Sequence, residues 1–200
     1  MFRKFFSVDS AVCLLALATL ISPGCALLGL EEEEEETTTV ATGSLSDIEG
    51  TWSACIADTS DGDSTKYTVT FSQSSRTQTR VQQTYSDLAC SSADYWTWTW
   101  TMENLTAGSQ GTLNNGSVGY SLSSTVQSIT LMPSTSVSNL SAYDGAICAQ
   151  NGWSGGVAKN IAGQSCVGGI NQGDAVTVEG YSLSGNTLYL NTFNQTLTKE

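Results

Sequence analysis

Hydrophobic and polar residues alternate in short runs after about residue 47, and helical periodicity is nearly absent there. The clearest case is Trp96-Thr97-Trp98-Thr99-Trp100, where a two-residue period puts three indoles on one face and the threonines on the other. Tyr67, Val69 and Phe71 share a face in the same way. Runs of this kind, bounded by Gly, Asn, Asp and Ser, predict strands over 48–57, 66–71, 76–85, 94–103, 116–123, 126–132, 143–149, 175–183 and 186–193. Ser184-Gly185-Asn186 predicts the turn of a final hairpin. The stretch 150–173, rich in Gly and Asn, is long for a loop in a compact domain unless something pins it. Short gaps favour sequential antiparallel pairing. Eight or nine such strands predict an all-β fold, an antiparallel up-and-down barrel, because closure removes exposed edges. A β-sandwich is the alternative.

The N-terminal part follows another pattern. A short basic start, Met1-Phe2-Arg3-Lys4, precedes an apolar run over 11–21, then the small residues Ser22, Pro23 and Gly24, then Cys25. That order predicts a secretory signal, and the run is shorter than the ~20 residues of a membrane-spanning helix. Glu31 to Glu36 followed by three threonines predicts an extended, solvated tether, because like charges repel. The expected organisation is a signal over 1–24, an acidic linker over 25–46 and one all-β domain over 47–200.

Composition narrows the chemistry. With seven Lys and Arg against nineteen Asp and Glu, the net charge is −12, which argues against nucleic acid as a partner. The chain has no histidine, so Ser-His-Asp and Cys-His catalysis and His-ligated zinc are excluded. Asp87, Asp94, Glu103, Asp144, Asp174 and Glu179 are scattered acids whose spacing shows no facing carboxylate pair, so no enzymatic activity and no cofactor is expected. Asp58, Asp61 and Asp63 around Gly62 are a candidate calcium loop, against a solvated turn, and their spacing is not that of an EF-hand. Cys55, Cys90, Cys148 and Cys166 remain once Cys13 and Cys25 are set aside, an even number suited to export. Of three possible pairings, Cys55–Cys90 and Cys148–Cys166 close the shortest loops, and the second would pin 150–173. Trp96, Trp98 and Trp100 are the candidate ligand-binding residues, by lining a cavity or forming a sugar platform. The same pattern also suits a filled core.

Two resemblances add expectations. Ser22-Pro23-Gly24-Cys25 resembles the lipobox of bacterial lipoproteins. The resemblance implies acylation at Cys25 and a membrane partner held through the lipid anchor. Ala26 next to it implies the outer membrane of a bacterial cell envelope. Gly50-Thr51-Trp52 resembles the start of the first strand in lipocalin-like proteins, and 176–190 looks like their terminal hairpin. This implies that Gly50 and Trp52 pack the closed end of the barrel and that a small hydrophobic ligand sits in a calyx. Lipocalins usually stack a late arginine on that tryptophan, and no arginine follows Arg80 here. The expected function is binding of a small apolar ligand at the cell envelope. A filled barrel with a structural or interaction role is the alternative, and a glycan-binding or glycan-cleaving module the third.

Overall fold

In the computed structural model the described residues are 41–92 and 94–200. The signal segment, Cys25 and Glu31 to Glu36 lie outside them. Among the described residues nine strands form: β1 (Gly50–Asp58), β2 (Asp63–Ser72), β3 (Thr77–Tyr85), β4 (Asp94–Thr112), β5 (Val118–Pro133), β6 (Lys159–Asn160), β7 (Ala175–Ser184), β8 (Thr187–Leu190) and β9 (Gln195–Lys199). Eight of them close a ring of antiparallel neighbours, β1-β2-β3-β4-β5-β7-β8-β9 and back to β1. The two-residue β6 adds to β5 alone. The fold is the all-β, up-and-down barrel that the alternation implied, and not a sandwich.

Four of the expected strands differ. Residues 116–123 and 126–132 belong to one strand, β5, which runs past Ser124-Thr125 because β4 extends to Thr112 and pairs with it throughout. Residues 143–149 hold no strand: Leu140–Tyr143 is a 3-10 helix, and left-handed backbone at Cys148 and Ala149 turns the chain back. The final expected strand, 186–193, is shorter, ending as β8 at Leu190, and β9, which the alternation did not predict, follows a turn with left-handed Asn194.

The long β4–β5 hairpin bends where its register shifts, between Thr101/Met102, Glu103/Thr106 and Ala107/Gln110, with Asn104 in the left-handed region (φ 55°). Its first half pairs with β3 and its second half lies beside β7, through β5. Residues 41–46, at the end of the expected linker, lie against the barrel. Gly43 N–H donates to the Gly108 carbonyl (3.0 Å), Gln110 N–H to the Ala41 carbonyl (3.1 Å), and Leu45 packs on the core. Gly43 allows this close approach, since a Cβ there would fall 2.7 Å from the Tyr120 side chain.

The apolar interior has two parts. Ile48, Trp52, Val69, Phe71, Leu122 and Leu190 anchor the first. In the second, Met102, Val126, Ile129 and Leu131 of the hairpin meet Cys148, Trp153, Ile161 and Val167 from the 134–174 connection. That connection is a lid. It lies over Trp96, Trp98 and Trp100 and is fastened by β6 and by the Ile161 N–H to Ile129 carbonyl bond (2.9 Å).

Candidate functional site: the barrel interior

Strand register decides which side chains face inward. Trp52 pairs with Val69, Val69 with Arg80, Arg80 with Trp100, and Trp100 with Ile129, so all five share the inner face. Trp98 beside Leu131 and Trp96 beside Pro133 continue it, while Thr97, Thr99 and Thr101 stand on the other side. The three indoles are partly buried under the lid. Trp96 meets Tyr143 and Trp153 edge-on, with ring centroids 5.5 and 5.1 Å apart. Lys159 Nζ sits 5.2 Å over the Trp153 ring and donates to the Asn151 carbonyl. The Trp153 indole N–H is buried without an acceptor.

Gly50 opens β1, and Trp52 shares its core cluster with Ile48 and Leu45. Gly50 has φ 109°, a conformation that side chains rarely adopt. It turns the chain so that Trp52, 1% exposed, enters the core and donates Nε1–H to the Ile48 carbonyl (2.8 Å). Lys199 is the register partner of Trp52, and its Nζ lies 5.1 Å from the ring centroid. Lys199 thus sets a cation over Trp52 on the strand pair that closes the ring.

Between the two apolar clusters lies a polar centre that sequence reasoning missed. Arg80, 4% exposed, reaches from β3 to Glu179 on β7, 3% exposed, and their side chains form a buried ion pair. Arg80 Nη2 also donates to Gln78 Oε1 (3.3 Å), and Thr192 Oγ1 donates to Glu179 Oε1 (2.9 Å). Burial pulls the Arg80 guanidinium below its ordinary value and the Glu179 carboxylate opposes that. It remains a cation, as arginine does throughout proteins. In sequence, Gln78, Arg80 and Gln82 alternate with Thr79, Val81 and Gln83, so both faces of β3 are largely polar, and its apolar Val81 marks the face that turns outward.

Cys55–Cys90 and Cys148–Cys166 are both disulfides, with Cα atoms 6.0 and 5.2 Å apart. The first ties β1 to the β3–β4 loop. The second lies wholly within the lid and shapes it without tying it to the wall. Asp58 and Asp63 face each other at the end of the β1–β2 hairpin. Asp58 Oδ1 accepts from Ser60 N–H (2.9 Å) and Oγ (2.5 Å), which holds its carboxyl below the usual range. Partial burial, then the charges of Asp58 and Asp61, push Asp63 upward. No group of three acidic, Cys or His side chains placed to hold a metal occurs among the described residues. An open cleft of about 250 Å³ at the far end of the β4–β5 hairpin reaches Glu179 of the polar centre and is lined also by Gln110, Leu113, Tyr120 and Asn191 among others.

Neither a protein-family model nor a curated protein matches this sequence. The chain is an all-β barrel of eight strands with a disulfide-shaped lid, a fold compatible with a ligand-binding barrel.

Proposed function

We propose that this chain is a lipid-anchored protein of the bacterial cell envelope whose barrel takes a small, largely apolar guest beneath the lid. The observation that carries the reading is how Trp96, Trp98 and Trp100 are covered. They share a cluster with Ile129 and Leu131 of the hairpin and with Cys148, Trp153, Ile161 and Val167 of the 134–174 lid, a segment folded around its own disulfide. A guest entering there replaces lid side chains against the indoles while the wall stays hydrogen-bonded. Envelope location rests on the basic start, the apolar run and the small residues before Cys25.

A filled barrel with a structural or interaction role is the second reading. It is favoured by the close edge-on packing of Trp96 against Tyr143 and Trp153, which leaves the indoles in the closed form already partnered.

The test is native mass spectrometry of the full chain, exported through its own signal and extracted from membranes. A reproducible extra mass that organic extraction releases, with a change in tryptophan emission, supports the guest. A bare protein across independent preparations, unresponsive to apolar probes, favours the filled barrel. In the same spectra, loss of the acyl mass in Cys25→Ser checks the anchor.

A further inference from the structure

Two N–H donors in the barrel interior have no acceptor among the described residues: Gln78 Nε2 and Arg80 Nε. The two residues are 0% and 4% exposed and stand two positions apart on the inner face of β3. Native interiors rarely leave such groups unpaired. The rest of the cluster is committed. Arg80 Nη2 serves both Gln78 Oε1 and Glu179, and Glu179 Oε1 accepts from Thr192. The bond between Arg80 and Gln78 keeps their remaining N–H groups in one neighbourhood. The centre therefore has donors to spare but no charge to spare, because Glu179 already balances Arg80.

We infer that Gln78 and Arg80 are the donor half of an internal binding site for one neutral acceptor oxygen. A carboxylate or phosphate would place a second negative charge beside Glu179 in a low-dielectric interior, where like charges repel strongly. A pure hydrocarbon would leave both donors unpaired. The matching chemistry is the oxygen of a ketone, ester, amide or alcohol on an apolar body, or of a buried water, which typically makes two to four such bonds. Register sets Trp100 beside Arg80 and Met102 beside Gln78. The carbon part of a guest would then lie along Trp100 and Trp98 towards the lid. A guest as the oxygen's source presupposes the ligand-binding reading above; a water does not.

The test combines binding with a high-resolution crystal structure of the full, membrane-extracted chain. Methyl octyl ketone, decane and decanoate are titrated against tryptophan emission. The ketone is expected to bind about tenfold more tightly than decane, one hydrogen bond's worth, with decanoate the weakest at neutral pH. Gln78→Leu should shrink the ketone's advantage over decane severalfold. In the map, an oxygen within hydrogen-bond reach of both nitrogens supports the site: part of an elongated molecule if the source is a guest, isolated if it is water. An isolated oxygen with no probe binding retains the site and sinks the guest reading. No oxygen there, with Gln78 Nε2 and Arg80 Nε against carbon or bonded to protein oxygens, overturns the site. So does decanoate binding more tightly than the ketone.

Discussion

Arg80 and Glu179 show how much one pair of side chains can hold at stake. Both are almost fully buried, and each is acceptable there only because of the other. Glu179→Gln keeps the shape but strands the guanidinium, and should cost about 3–5 kcal/mol of unfolding free energy in urea titrations. Arg80→Met combined with Glu179→Leu should recover most of that, since buried pairs replaced by apolar groups are often near neutral. A double variant as damaged as the single one would refute the charge argument. Tyr181 carries a pH dependence. Its hydroxyl donates to the Ser44 carbonyl (3.1 Å), and burial, then the charge of Asp47, pushes its pKa up to about 12. The folded state thus keeps a proton that the unfolded chain loses near about pH 10. Stability from this residue is complete below about pH 10 and falls as pH rises towards 12. Unfolding free energies measured across that window should decline, and Tyr181→Phe should flatten the decline.

At the scale of elements, the lid is the part whose stability is separable. Its disulfide joins residues 18 apart in sequence, and everything else holding it to the hairpin is noncovalent. Cys148→Ser with Cys166→Ser should weaken the closed lid by about 3 kcal/mol. The expected signature is a red shift of tryptophan emission, as Trp96 and Trp153 meet water, with the far-ultraviolet strand signal retained. Loss of the strand signal as well would mean that lid and wall fold as one unit. The strands themselves were legible wherever one face is apolar, as in Tyr67/Val69/Phe71 and Trp96/Trp98/Trp100. Residues 143–149 misled because Ile147 and Cys148 are apolar for packing from the lid onto the hairpin, not for pairing in a sheet.

For the whole molecule, closure depends on a short seam. β1 and β9 share two register pairs, Trp52 with Lys199 and Ser53 with Thr198, extended by the Glu200 N–H to Thr51 carbonyl bond (3.0 Å). Lys199→Ala removes only the cation over Trp52 and should cost about 1 kcal/mol or less. Deleting 195–200 removes β9 and buried Leu197 and leaves two unpaired edges. Cooperative unfolding should then be lost and a hydrophobic dye should bind. A deletion variant that still melts in a single sharp transition would show that the ring need not be closed for the core to hold.

The alternation of residues by itself determined the all-β class, the barrel, the inward face of β4 and, through loop length, both disulfide pairings, because period and spacing are local properties of a chain. Gly50-Thr51-Trp52 likewise marked the first strand before any coordinates, and its glycine takes a backbone turn that other residues rarely adopt. The tertiary structure alone decided the rest. It ran β5 through Ser124-Thr125, folded 134–174 over the indoles, brought Lys199 to Trp52 and joined Arg80 to Glu179, 99 residues further along the chain. Those pairings depend on which face each strand turns inward and on the stagger of the ring. A strand largely polar on both faces, such as β3 with its apolar Val81 turned outward, carries no dependable local sign of either.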